Sequence, residues 1–450
     1  MKKILLLGAG RSATVLIKYL LSHAQEWNAS VTVGDQLLET AAAKVGTGNA
    51  GNAIAFDVTD ESERKREIAA HDIIISMLPP HLHLLVAIDC LAFRKHLLTA
   101  SYVSPELQEM NEAVKSAGLL FMSEMGLDPG IDHMSAMKMI HSIQQQGGTI
   151  TSFKSGTGGL VAPESDDNPW HYKVTWNPRN VVLAGQGTAQ YLENGIRKFI
   201  PYHRIFTTTE QFKISGYGKF ESYPNRDSLS YISKYGLDNV QTILRSTLRK
   251  EGYCSAWNAL VQLGLTDDSY VLNNLEEMTY ADWVNCYLPH KPKWATKSVK
   301  SKTAKFLDLK RDTLERLEWL GIFEPKLIPI SKGSPAQILQ QLIEQQWKMQ
   351  PTDNDMIVMR HEIQYLLNGE AREQISTLVL KGTDALNTAM ASTVGLPLGI
   401  MTRLLLQEEF FLTGVHIPVM SQVYLPVLKE LETLGIRFVE EDRPLTLKPV

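Results

Sequence analysis

Ile4-Leu5-Leu6-Leu7-Gly8-Ala9-Gly10-Arg11-Ser12-Ala13 is the stretch on which the fold of the first part of the chain turns. A short apolar run ends in Gly-x-Gly-x-x-Ala, and helical spacing follows at once through Val15, Leu16, Tyr19 and Leu20. A lone glycine motif is a weak signal. Its position between a strand and a helix gives it meaning. Gly8 permits the tight turn, Gly10 lets the main chain approach a pyrophosphate, and the small Ala13 lets helix pack on strand. Main-chain N–H groups at the helix start, near Arg11 and Ser12, then face the phosphates. The competing reading is a tight strand-to-helix turn without a ligand.

Outward from this loop the first 122 residues alternate in period. Ser30–Val33, Ala53–Phe56, Asp72–Met77, His96–Ala100 and Leu119–Met122 read as further strands. Between them, Leu37–Val45, Glu61–Ala70, His81–Phe93 and Pro105–Ala117 carry helical spacing. Continuous apolar strands alternating with helices predict an α/β fold, a Rossmann doubly wound parallel sheet covered on both faces. Its crevice opens between the first and fourth strands. Met77, Leu78 and Pro79 leave the fourth strand there, and Thr99, Ser101 and Tyr102 leave the fifth, so both segments are expected to border the pyrophosphate and nicotinamide. Asp35 ends the second strand, where a carboxylate would accept hydrogen bonds from ribose hydroxyls and repel a 2′-phosphate. NAD is therefore expected over NADP. Asp57-Val58, after the third strand, is expected to border the adenine.

Composition narrows the function classes. The net charge of -4 supplies no basic field for nucleic acid or acidic membranes. No apolar stretch is long enough and uninterrupted enough to span a bilayer. The longest, Val394–Leu406, contains Pro397 and Arg403. The start, Met1-Lys2-Lys3 before Ile4–Leu7, reads as a first strand rather than a signal peptide. Cys90, Cys254 and Cys286 fit no zinc spacing and no disulfide framework, which points to a reducing cytoplasm and no metal. No H-E-x-x-H, G-x-S-x-G or Walker A loop occurs, so three common alternative chemistries lack support.

Beyond Glu124 the rhythm changes. Gly126-Leu127-Asp128-Pro129-Gly130 is a turn cluster, followed by helical spacing over 131–146 and strand spacing over Thr149–Thr157. The region 256–350 is mostly helical by pattern, and Thr383–Gln407 is helix-like. Met356–Tyr365 and Arg372–Leu380 flank Asn368-Gly369, a strong hairpin signal. Asp128 either caps a turn or anchors a substrate ammonium. His133 reads as a structural hydrogen-bonder rather than a base. Arg226, in Tyr223-Pro224-Asn225-Arg226-Asp227-Ser228, and the pair Arg245 and Arg249 around Thr247 suit the clamping of carboxylates, against the alternative of surface arginines.

Several segments together resemble one family. GAGRSA at 8–13, TASYVSPEL at 99–107, EMGLDPGIDHMSAM at 124–137, GGLVAPESDDNPWHYKVTW at 158–176, YPNRDS at 223–228, RSTLRKEGY at 245–253 and TVGLPLGI at 393–400 are similar to saccharopine dehydrogenases of the glutamate-forming type. The resemblance implies a Rossmann domain over 1–125, completed by about 385–450. It further implies an α+β substrate-binding and dimerisation domain over 126–384 with a helical insert at about 256–350, and so a homodimer. It implies an amino-acid substrate, saccharopine, bound near Tyr102, Asp128, Asn225, Arg226, Arg245 and Thr247, with Ser101 and Arg249 beside them. Two departures stand out. Asp35 replaces a basic residue of NADP-using relatives, and Thr157 stands where some relatives carry Cys, which leaves Thr157 a weaker candidate contact. The implied reaction moves hydride from the carbon beside saccharopine's secondary amine. Water then releases L-glutamate and 2-aminoadipate 6-semialdehyde. Three substrate carboxylates give the arginines a purpose. A carboxynorspermidine-type polyamine dehydrogenase and a non-catalytic nucleotide-binding homologue are the alternatives.

Overall fold

A computed structural model describes residues 1–47, 51–407 and 411–445. The chain forms two compact units. One comprises Met1–Thr149, Leu366–Glu370 and Ser376–Glu441; the other comprises Ile150–Tyr365, Ala371–Ile375 and the segment from Asp442.

The first unit is built on strands β1 (Lys2–Leu7), β2 (Ala29–Asp35), β3 (Gly51–Ala55), β4 (Ile73–Ser76), β5 (His96–Thr99) and β6 (Leu120–Met122). They lie in the order β3-β2-β1-β4-β5-β6, every neighbouring pair parallel, which is the doubly wound order read from the alternation. Ile4–Leu7 and Ile73–Ser76 are buried throughout, because helices cover both faces of a parallel sheet. One face carries a core of Leu5, Leu7, Ile74, Leu97 and Phe121, closed by Ile68, Val86, Cys90 and Val114 from the helices. At 20–33 cal/mol per Å² of apolar surface, each such side chain contributes about 1.5–3 kcal/mol when fully buried.

A seventh strand, Gly414–His416, continues this sheet parallel to β6. The sequence reading does not contain it, since three residues with one core side chain, Val415, carry no measurable period. The Asn111 amide oxygen accepts from the Val415 N–H at 2.9 Å and fixes the edge. The helix expected over Pro105–Ala117 is two pieces, Pro105–Glu109 and Asn111–Ser116, divided at Met110. The helix Ala389–Leu406 starts at Thr388, whose hydroxyl accepts from the Ala391 N–H at 2.9 Å. It is long and apolar enough to cross a membrane, yet 72% of it is buried within the fold, where it packs on helix Thr14–His23. That is the burial of a core helix.

The second unit is organised by a mixed sheet of nine strands. Its path runs Glu210–Ile214, Gly218–Pro224, Thr242–Lys250, Thr149–Val161, Asp355–Leu367, Glu370–Lys381 and Phe438–Pro444, with Ala189–Glu193 and Ile196–Ile200 joined to the side. The strand predicted at Thr149–Thr157 thus extends to Val161, and the Asn368-Gly369 turn joins two long strands. The stretch 256–350 holds helices Tyr280–Cys286, Val299–Phe306, Arg311–Leu320 and Pro335–Gln346, the last opened by a capping box between Ser334 and Gln337. Trp170, Tyr172, Tyr253, Trp257 and Trp347 stack and cross one another at ring distances of 5.1–6.3 Å and form the aromatic core of this unit.

Candidate active site

The glycine loop follows β1 directly. Gly8 has φ +97°, and a Cβ there would lie 3.0 Å from the Met77 carbonyl oxygen, so conformation and space both require glycine. A Cβ on Gly10 would meet nothing within 4 Å. That open flank is the approach a pyrophosphate needs, so the loop fits a dinucleotide. Arg11–Ala13 form one 3-10 turn before helix Thr14–His23, with Ala13 buried. Arg11 is exposed and Ser12 half-buried.

Asp35 does not stand free at the end of β2. One carboxylate oxygen accepts from the Ala9 N–H at 2.8 Å and the other from the Leu37 N–H at 3.2 Å. It braces the glycine loop from below. The Lys44 ammonium donates to the Gly10 carbonyl, and burial lowers its pKa to about 8 against the pull of Asp35. Asp57 is held below the usual carboxylate range by the Thr59 hydroxyl and N–H. Val58 lies in the core, and its carbonyl accepts from the Arg64 guanidinium at 2.7 Å.

At the ends of β4 and β5 the structure brings together residues the sequence did not connect. The His83 ring lies 2.8 Å from the Ser76 hydroxyl through Nδ1 and 2.7 Å from the Ser101 hydroxyl through Nε2. Thr99 Oγ1 accepts from the Ser101 N–H at 3.2 Å. Burial, helped by His81, lowers the His83 pKa to about 4, so the ring is neutral near pH 7. Met77 and Leu78 are half-buried beside this group, and Pro79 is exposed.

Tyr102 and Asp128 sit on the next two loops. The Tyr102 hydroxyl donates to an Asp128 carboxylate oxygen at 3.4 Å. Tyr102 is 37% exposed. Asp128 precedes Pro129 through a cis peptide bond. Gly130 closes that turn so tightly that a Cβ would lie 2.0 Å from the Gly126 carbonyl oxygen. Beneath both loops lies Glu124, with φ +56° and 1% exposure. One of its oxygens accepts from the Val103 N–H at 3.3 Å, and the other is 2.8 Å from His133 Nε2. His133 is fully buried, a structural hydrogen-bonder. Sequence reasoning placed Ser76 in the segment leaving the fourth strand and missed His83 and Glu124; of these two Glu124 carried a signal, as an acid at a strand end directly before a glycine cluster.

In the second unit four of the candidates, Thr157, Arg245, Thr247 and Arg249, share one sheet face. Tyr223, Thr247 and Thr157 are direct neighbours across three strands, and Arg245 and Arg249 flank Thr247 on the same face of strand Thr242–Lys250. The Arg245 guanidinium lies 4.3 Å from the Tyr231 ring centre, and the Arg245 main-chain N–H donates to the Ser228 hydroxyl at 2.9 Å. Asn225 is half-buried, its N–H bonded to the Arg245 carbonyl at 2.9 Å, and Arg226 is exposed with φ +40°. Arg249 is 3% exposed within a cage of Tyr172, Tyr223 and Tyr253, at 5.1, 5.9 and 5.1 Å. Burial works against the charge of Arg249, and Coulombic interaction with Tyr223, Tyr172 and Tyr253, with a hydrogen bond to Tyr253, holds its pKa above the usual arginine value. The Nε of Arg249 and the hydroxyl of Thr157 are buried without a hydrogen-bond partner among the described residues. No cluster of His, Cys, Asp and Glu suited to a metal occurs among the described residues.

Known proteins bear directly on this arrangement. Residues 4–122 match the saccharopine dehydrogenase NADP binding domain, and residues 126–436 match the saccharopine dehydrogenase C-terminal domain. Saccharopine dehydrogenase [NADP(+), L-glutamate-forming] of Schizosaccharomyces pombe is 33% identical over 98% of this chain and 99% of its own. The mitochondrial alpha-aminoadipic semialdehyde synthase of Bos taurus is 33% identical over 98% of this chain, which spans 48% of that longer protein. The apo saccharopine dehydrogenase (L-Glu forming) structure from Saccharomyces cerevisiae superposes with a TM-score of 0.88 at 30% identity, covering 98% of this chain and all of that one.

Two expectations are corrected by these findings. NAD was expected over NADP, yet the fission-yeast relative is an NADP(+) enzyme. The argument from Asp35 treated its carboxylate as free to repel a phosphate, whereas both of its oxygens are taken by main-chain N–H groups. The cytoplasmic location is contradicted by the mitochondrial bovine relative. Three free cysteines do not distinguish one compartment from another. With family domains matched over nearly its whole length and a full-length relative at 33% identity, this chain belongs to the glutamate-forming saccharopine dehydrogenase family.

Proposed function

We infer that the chain performs the NAD(P)-dependent oxidation of saccharopine to L-glutamate and 2-aminoadipate 6-semialdehyde, or its reverse, through Tyr102 and Asp128. The observation that carries the residue assignment is the Tyr102–Asp128 pair, which stands at the same strand-end edge of the parallel sheet as the glycine loop. The bound dinucleotide supplies the hydride acceptor or donor. Asp128 holds the substrate's secondary amine as a hydrogen-bond acceptor, and Tyr102 orients both Asp128 and the amine through its hydroxyl. Loss of hydride from the adjacent carbon leaves a C=N bond in the substrate. Water adds to that carbon and the C–N bond breaks, with one proton released overall.

Arg245, Arg249 and Arg226 are the cations we assign to the substrate carboxylates, with Asn225, Thr247, Thr157 and Ser101 as polar contacts. Arg245 is fixed by its tyrosine neighbour before any substrate arrives, which lowers the entropy lost on binding. A variant lacking the Tyr102 hydroxyl tests the site. Tyr102→Phe is expected to lower kcat/KM for saccharopine by about tenfold or more, as a lost hydrogen bond to a charged group implies. An unchanged kcat/KM would remove Tyr102 from the site.

We further propose NADP as the dinucleotide, with Lys44 as the cation available to its 2′-phosphate. Its amine is held at the glycine loop on the Gly10 carbonyl, and its pKa of about 8 puts half of it in the neutral form at that pH. The KM for NADP is expected to rise as pH rises through about 8, and this rise to vanish in Lys44→Arg. A pH-independent KM in the parent protein would exclude Lys44. The homodimer implied by the resemblance is checked by light scattering on the purified chain. Twice the monomer mass supports it, and the monomer mass contradicts it.

A further inference from the structure

The Glu124 side chain holds the loop carrying Tyr102 directly and reaches the turn carrying Asp128 through His133 and Asp132. One carboxylate oxygen accepts from the Val103 N–H, next to Tyr102, and the Glu124 N–H donates to the Ser101 carbonyl at 2.9 Å on the other side of Tyr102. The Tyr102 segment is therefore clipped at both ends by a single residue. The second oxygen meets His133 Nε2 at 2.8 Å. His133 Nδ1 lies 3.5 Å from Asp132, whose carboxylate accepts from the Gly130 N–H at 2.6 Å. That chain ends on the turn that presents Asp128.

The setting is costly for any other purpose. Glu124 is 1% exposed and His133 fully buried, so the carboxylate has lost nearly all of its hydration. A non-glycine residue at φ +56° also carries backbone strain. Such costs persist where the surrounding structure over-determines the geometry. Glu124 bonds Ser101 and Val103, the two neighbours of Tyr102, and stands four residues before Asp128, yet neither Glu124 nor His133 reaches the surface.

We propose that Glu124, with His133 and Asp132 behind it, is a positioning residue. It sets the distance between the Tyr102 hydroxyl and the Asp128 carboxylate and so tunes the chemical step without touching substrate. This rests on the reading of Tyr102 and Asp128 as substrate contacts. Glu124→Gln keeps the shape and an acceptor but removes the charge that binds the His133 ring. A displacement of about 1 Å at reacting groups costs on the order of 100-fold. Glu124→Gln is accordingly expected to lower kcat for saccharopine by about 100-fold. The dissociation constant of the reduced dinucleotide, read by fluorescence, is expected to stay unchanged, because the glycine loop is not part of this chain of contacts.

A double variant separates positioning from general damage. If Glu124 acts through Tyr102, then Glu124→Gln combined with Tyr102→Phe loses no more activity than the more impaired single variant. Losses that multiply, or a folded Glu124→Gln with unchanged kcat, would overturn the proposal. So would a parallel loss of dinucleotide binding. Should Glu124→Gln fail to fold, His133→Ala against His133→Gln asks the same question. The glutamine amide still donates to Glu124, so it is expected to recover most of the activity lost in His133→Ala, and equal losses would overturn the proposal. An active Tyr102→Phe beside an impaired Glu124→Gln would instead sink the site reading.

Discussion

In the first unit the candidate reactive groups stand on loops at strand ends, whereas in the second they stand mid-strand on a sheet face. The difference lies in what fixes them. Tyr102 and Asp128 owe their places to buried side chains beneath the loops, chiefly Glu124 and, through Ser101, His83. Arg245, Thr247 and Arg249 owe theirs to strand register, with Thr157 and Tyr223 as lateral neighbours. Loop geometry of the first kind is adjustable by single side chains and suits the chemical step. A register-fixed face of the second kind changes little when one side chain is removed, and suits binding. Substitutions in the two regions should then read out differently in kinetics.

The sharpest separation comes from Asp128→Ala. We expect kcat/KM for saccharopine to fall about 100-fold, the scale on which misplacing the reacting amine by about 1 Å acts, with kcat bearing most of the loss. A loss confined to KM, measured by steady-state kinetics, would erase the contrast between the regions. Arg245→Ala is the counterpart in the second unit. It is expected to raise the saccharopine KM about 100-fold, the scale of a truncated buried charge pair, with kcat little changed. A collapse of kcat at constant KM would place Arg245 with the loop residues.

A smaller effect tests the His83 bridge beneath the Tyr102 loop. Its folded pKa is lowered from 6.5 to about 4, so the unfolded chain takes up the proton first as pH falls. The contribution of the neutral ring is present above pH 6.5 and is lost as pH falls toward about 4, at about 1.4 kcal/mol per pH unit. Denaturant titrations should show that slope reduced in His83→Gln. Identical slopes in both proteins would mean that the ring is not held neutral by the fold.

Much of the first unit was legible before any coordinates. β1 and β4 are continuous apolar runs that end in glycine or a proline pair, and such runs leave few alternatives to a buried parallel strand. Gly414–His416 was not legible, since its pairing with β6 depends on an edge that forms only after the sheet exists. Tyr102 and Asp128 could be read as strand-end residues. The bonds that Ser76, His83 and Glu124 make could not be read, because the meaning of each is a partner: Ser76 and Ser101 for His83, and His133 and Val103 for Glu124. Asp35 shows the same limit from the other side. Its charge is visible in the sequence and its two N–H partners are not, and the NAD expectation failed on that difference. In the second unit the arginines were singled out by residue type and spacing, and Thr247 through the motif resemblance. The tyrosine cage around Arg249 draws on residues 172, 223 and 253, which no spacing rule connects.

The most direct test is the initial rate of dinucleotide reduction by the full chain with saccharopine, with glutamate and the semialdehyde measured as products. The account requires saccharopine-dependent reduction with one glutamate formed per dinucleotide reduced, and loss of that rate in Asp128→Ala. No turnover of saccharopine by folded protein, or turnover of a carboxynorspermidine-type polyamine in its place, would contradict it.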